Sequence, residues 1–292
     1  MDKFLADRIQ LTVDNYRLVK EELRNDGDII NHFASLIFSH YEREIPIYRV
    51  KEIRKNIKLN TTRISPFRGD TLNILSLLIA TVDKEEEEEL IQDIYDVMEL
   101  LEGEGFTSGS YLVLTAFTIS KYTKLKDKKE IINKIKELYI ILKEKYYDIT
   151  NEDDYLLCTL WVINNIHAET VDDFIENIFN HIADSHISSK NGVQALANSI
   201  ILNGSSGEMY RSMEFIQQLQ KRNIKIANQF LPLIGVLSNY NPRRNADIVE
   251  GVIEYLCDEE VEYEYYLDKG FRTIIAIVII SFCSVSNILM NF

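Results

Sequence analysis

The sequence predicts an all-α protein: a right-handed α-α superhelix of about six helical hairpins plus a terminal helix, with residues 1–292 as a single repeat domain. Three observations predict it. Glycine and proline are scarce, 11 and 4 respectively, too few turn-formers for a many-stranded β sandwich. An apolar pattern of helical spacing recurs roughly every 40 residues. Each recurrence carries a small residue in the middle of its apolar face, where another helix can approach closely.

The elements follow in order. MDKFLADRIQLTVDNY at the start is amphipathic and lacks the apolar stretch of a signal peptide, so it reads as an opening helix. The repeat frame then runs from anchors at Ile30, Leu72, Tyr111, Tyr155, Val193, Phe230 and Phe271, spaced 42, 39, 44, 38, 37 and 41 residues apart. Three residues past each anchor stand Phe33, Leu75, Leu114, Cys158, Leu196, Leu233 and Ile274. The small residue follows at Ala34, Ser76, Thr115, Thr159 and Ala197, and one place later at Gly235 and Ala276. Positions i, i+3, i+4 and i+7 mark one face of a helix. Between anchors a second pattern recurs: Ile91, Ile94, Tyr95 and Met98, then Ile135, Leu138, Tyr139 and Leu142, then Ile175, Ile178, Phe179 and Ile182. Each unit is therefore a hairpin, with a period in the HEAT and armadillo range. Residues 273–290 carry no charge and are long enough for a membrane span in principle. Their register continues the repeat frame, so a buried closing helix is expected there.

Composition narrows the function. A net charge of −14 disfavours broad contact with nucleic acid, which needs a basic face, although a local basic patch remains compatible with it. Cys158, Cys257 and Cys283 are odd in number, widely spaced and set in apolar helical contexts. They read as buried free thiols of a reducing, cytoplasmic compartment.

The strings SPFRGDTLNILSLLIA, SGSYLVLTAF, TNEDDYLLCTLWV and SKNGVQALANSIIL, in this order and spacing, resemble a Firmicutes family known as domain of unknown function 4003. The resemblance runs from about residue 10 to about residue 280. It implies a bacterial, intracellular, helical protein and carries no activity, cofactor or catalytic residue with it. Members of that family continue past the last anchored helix, so the final hairpin is expected to lack its second helix here.

Individual motifs read mostly as architecture. Ser108 and Gly109 precede an apolar run as a nucleophile might, but Thr107 and Ser108 match Thr150 and Asn151, with Ser188 and Ser189 two units on. Each pair precedes a helix, which is the position of an N-cap. Asp172, Asp173 and Glu176 in DDFIE resemble half of an isoprenoid-synthase metal motif. They equally suit a helix start, where acids oppose the macrodipole. The five histidines form no i, i+4 pair, and no zinc or other metal is expected. Neither a Walker loop nor G-x-G-x-x-G occurs, and no cofactor is expected. The acidic run from Lys84 to Glu89 reads as a solvated first turn, and KYTKLKDKK at 121–129 as an inter-helix loop. Arg68, in the turn ISPFRGD, and Gln194 with Asn198, four apart on one helix, are either ordinary solvent-facing groups or the lining of a binding groove. The leading expectation is a scaffold for a protein or peptide, without nucleic acid or membrane as partner. The alternatives are an enzyme with a cavity enclosed by helices, using Asp172, Asp173 and Glu176, and a DNA-binding repeat protein.

Overall fold

A computed structural model describes residues 3–123, 127–171, 177, 181, 190–203, 206–227, 230–236 and 241–289. Among them the chain is helical, without a strand. The helices are α1 (Lys3–Glu22), α2 (Asp28–His40), α3 (Ile47–Asn60), α4 (Asp70–Ile79), α5 (Glu87–Gly103), α6 (Ser110–Tyr122), α7 (Lys128–Lys145), α8 (Asp154–Ile163), α9 (Lys190–Asn203), α10 (Ser206–Lys221), α11 (Leu231–Val236), α12 (Pro242–Glu259) and α13 (Lys269–Leu289). The chain divides into two compact units, one of residues 22–34 and 46–172, the other of residues 1–21, 35–45 and 173–292.

In the unit containing α3 to α8, the anchored helices pack in succession, α4 on α6 and α6 on α8, while α5 packs on α7. This alternation gives two layers. The small residues Ser76, Thr115 and Thr159 are fully buried in the first layer. Ile94, Met98, Ile135 and Leu138 of the second pattern are buried as well. Residues at matching places of the apolar pattern meet at one point. Thr71 and Ser110 each immediately precede an anchor, and the Thr71 hydroxyl donates to Ser110 Oγ at 2.7 Å. Phe67 and Phe106 each lie five before an anchor. Phe67 meets Tyr95 edge-on at 5.1 Å, and Phe106 meets Tyr155 likewise at 5.0 Å.

Two local expectations are corrected. Tyr111, an anchor in the apolar frame, is 47% exposed. α6 starts only one residue earlier, and Leu112 and Val113 take the buried places of its first turn. Neither Ser108 nor Thr107 caps α6. The cap position belongs to Gly109, in extended backbone and without a side-chain bond to the first turn. The Thr107 N–H instead donates to the Tyr155 hydroxyl at 3.4 Å, across to another helix. At α8, Thr150 Oγ1 donates to the Leu142 carbonyl at 3.2 Å, and the Asn151 N–H donates to the Asp154 carboxylate at 3.1 Å. Ser188 and Ser189 lie outside the described residues. Side-chain caps of the expected kind occur elsewhere, with Asp127 on α7 and Asn241 on α12.

In the other unit α9 packs against α11 and α10 against α12, while α13 meets both α11 and α12. The α9–α11 contact is the closest-fitting. A Cβ added to Gly235 would lie 3.1 Å from the Ile200 backbone nitrogen and collide with the Ser199 hydroxyl. The anchors Phe230 and Phe271 stack at 5.7 Å. Ile274, Ile275, Ala276, Ile277, Ile279 and Ile280 of α13 are buried, as are Val252 and Leu256 of α12, so the first half of the apolar C-terminal segment enters the core as expected, while the side chains from residue 283 on lie outside the described residues. No helix among the described residues is long and apolar enough to cross a membrane. Arg8, 4% exposed, is held by the Ser39 and His40 carbonyls at the end of α2 and by Glu42.

Candidate functional site: a cationic groove along α3

α3 is amphipathic in an unusual way. Val50, Ile53 and Ile57, at helical spacing, are fully buried on one face. Lys51, Lys55 and Lys58 repeat at i, i+4 and i+7 on another, flanked by Tyr48 and Leu59 at 78% and 77% exposed. From residue 47 to 68 there are seven cations and one acid, Glu52, in a chain of net charge −14.

The seven divide into two groups. Arg49, Arg54 and Arg68 are bound within the unit. Arg49 pairs with Glu87 at 2.7 Å. Arg54 forms a two-pronged pair with Asp26, at 2.9 and 2.5 Å, and donates from Nε to Ser76 Oγ at 3.0 Å. Its partner Asp26 is only 6% exposed, and a fork-to-fork pair of this kind fixes both planes. Arg68 donates to the carbonyls of Lys58 at 2.8 Å, Thr62 at 2.9 Å and Thr61. It thereby satisfies acceptors at the C-terminal end of α3, where a cation also suits the helix dipole.

The remaining cations face outward. Lys51 pairs with Glu22 at 2.7 Å in an exposed bridge. Lys55, Lys58 and Arg63, together with Arg24 of the turn Arg24–Asp26, form no ion pair among the described residues. Arg24, Lys55 and Lys58 line an open groove of about 660 Å³, with Asn25, Leu59 and Asn73 beside them. The acids in that groove, Glu22 and Asp26, are those already neutralised by Lys51 and Arg54. Positive charge, amide groups and exposed apolar surface together can hold an anionic group.

The residues singled out from sequence are scattered. Arg68 serves as the strut just described, near this groove but committed to backbone carbonyls. Gln194 and Asn198 lie in the other unit on α9 and are 3% and 2% exposed, so they are not solvent-facing groups. Asp172, Asp173 and Glu176 lie outside the described residues. Among the described residues no cluster of His, Cys, Asp or Glu has the geometry to hold a metal ion. Cys158 is a buried free thiol, pushed well above its usual pKa first by burial and then by the Asp154 carboxylate. Cys257 is free and partly exposed; burial raises it, while Arg272, donating to its sulfur at 3.1 Å, pulls the other way. The side chain of Cys283 lies outside the described set. The cationic groove itself was missed from sequence because the whole-chain charge hides it. A running charge window over 47–68 reveals it.

No curated protein and no solved structure matches the chain. A family model described as protein of unknown function (DUF4003) matches residues 15–289. Matched over nearly its whole length, the chain belongs to that family.

Proposed function

We propose that this chain is a cytoplasmic helical-repeat scaffold, a right-handed α-α superhelix of the HEAT and armadillo kind, that binds a protein or peptide. The contact of equivalent residues Thr71 and Ser110 supports the repeat stacking, since a shared frame brings like positions together. The observation that carries the binding role is the surface of α3 and the turn after it. Tyr48, Leu59 and Ile64 are 78%, 77% and 96% exposed, interleaved with Lys55, Lys58 and Arg63, which form no ion pair among the described residues. Aromatic, aliphatic and cationic side chains kept together in water match the composition of a protein interface more than that of an inert surface. Affinity capture with the intact chain, followed by mass spectrometry, tests this. Recovery of one protein in stoichiometric amount is expected. An eluate carrying nucleic acid or a small molecule in place of a protein would overturn it.

A further inference from the structure

We infer that the groove beside α3 docks an acidic, extended segment of a partner protein, with carboxylates on Arg24, Lys55 and Lys58 and an aliphatic side chain against Leu59. The inference rests on the binding-scaffold reading above and names its surface and its partner.

Charge complementarity is the first argument. A chain of net charge −14 repels an acidic partner at long range. At contact, screening limits each charge to neighbours within about 8–10 Å at physiological salt, so the local surface decides. The local surface here is the reverse of the whole, with seven cations against one acid from residue 47 to 68.

The second argument is which cations the fold leaves over. Arg49, Arg54 and Arg68 are consumed by Glu87, Asp26 and the end of α3. Lys55, Lys58 and Arg24 converge on one groove without an ion-pair partner among the described residues. The carboxylates that share the groove are already neutralised, so an incoming acid meets net positive charge.

Spacing is the third. Lys55 and Lys58, three apart, stand about 4.5 Å apart along the helix axis, and Lys51 and Lys55, four apart, about 6 Å. Alternate side chains of an extended strand are separated by roughly 6.5–7 Å. Flexible lysine stems splay to that separation, so a strand with carboxylates at alternate positions reaches both Lys55 and Lys58. Leu59 and Tyr48, exposed at opposite ends of the lysine row, offer apolar contact for the residues between. A phosphate polymer would use the cations and gain nothing from Leu59, so a protein segment is the favoured occupant.

Fluorescence anisotropy on the intact chain tests this, using a short labelled peptide of alternating Glu and Leu. A Lys/Leu peptide and a single-stranded oligonucleotide serve as the other probes. The acidic peptide should bind, weakening as salt is raised, and the Lys/Leu peptide should not. Lys55→Glu with Lys58→Glu should weaken binding by at least about tenfold while leaving the circular-dichroism melt in place. Leu59→Ser should weaken it less and leave the salt dependence unchanged. If the double variant does not fold, Lys58→Ser alone provides the comparison. Equal binding by wild type and variant, or binding of the oligonucleotide in preference to the peptide, overturns the inference. A protein captured equally by wild type and charge-reversed chain sinks this site and leaves the scaffold reading standing. A wild-type chain that captures no protein sinks both.

Discussion

α1 and α3 both present cations on an exposed face, and the chain treats them in opposite ways. On α1, Arg17 pairs with Glu260 at 2.8 Å and Lys20 with Glu262 at 2.6 Å. These two acids lie on or beside a π turn, Glu262–Tyr266, whose Tyr263 is buried against Tyr16 at 5.8 Å. Burial pushes the Glu260 carboxyl up, but the hydrogen bond and charge of Arg17 more than offset it, and its pKa falls below the usual carboxylate range. The hydrogen bond that Lys20 donates to Glu262 likewise holds its ammonium above its ordinary value. α1 spends its charge holding a turn that i→i+5 hydrogen bonding alone would leave loose. On α3, Lys55 and Lys58 form no ion pair among the described residues. Charge matched internally fixes structure, and charge left unmatched is available to something else.

The largest expected effect comes from breaking the internally matched pair of α3's own unit. Asp26→Ala strands Arg54, 12% exposed, beside an uncompensated pocket. Loss of one partner of a buried pair costs roughly 3–5 kcal/mol, and the urea midpoint should drop accordingly. A loss under about 1 kcal/mol would place this pair with exposed bridges.

A partly buried acid with no ion pair among the described residues, Asp154, gives the opposite behaviour from Glu260. Burial, chiefly, raises Asp154 to about 6. Its folded pKa lies above the unfolded value, so the native state holds an extra proton between about pH 4 and 6. Stability rises as pH falls through that window, and above it the ionised carboxylate carries a penalty. Asp154→Asn should therefore be more stable than wild type at pH 7, by about 1–3 kcal/mol, with the difference shrinking toward pH 4. The contribution of Glu260 has the other sign. It is present above the ordinary carboxylate pKa and is lost as pH falls through its lowered value. Melts at several pH values check both, and a pH-independent difference for Asp154→Asn would refute the first.

Smaller still is Arg17→Ala. Its side chain is 45% exposed, so the bridge to Glu260 is worth about 0.2–1 kcal/mol, and less at high salt. Smallest is Lys55→Ser with Lys58→Ser, expected within about 0.5 kcal/mol of wild type. A destabilisation matching that of Asp26→Ala would show that these lysines carry structure after all.

What the sequence could reveal follows from the range of each interaction. The helices and the buried small residues Ser76, Thr115 and Thr159 were legible, because apolar periodicity is local. The pairing of Arg54 with Asp26, 28 residues away, and of Arg17 with Glu260, 243 away, was not, since either arginine has many acids to choose from. Cap residues failed for a different reason. Thr107, Ser108 and Ser110 all carry the right chemistry within four positions, and backbone angles, fixed by the neighbouring helices, decide which hydroxyl points where. Arg68 read as either a solvent-facing group or the lining of a groove, because an arginine in a turn gives no local sign that helix carbonyls are waiting for it.

Gly235 has a consequence for redesigning the unit that holds it. Where Ser76, Thr115 or Thr159 stands on other apolar faces, α11 approaches α9 so closely that a Cβ on residue 235 would collide with the Ser199 hydroxyl and crowd the Ile200 nitrogen at 3.1 Å. These two helices are thus cut to each other. Exchanging either one alone for a helix with a larger residue at that place would press a methyl or hydroxyl against Ser199. They would have to be transplanted as a matched pair, Gly235 with Ser199.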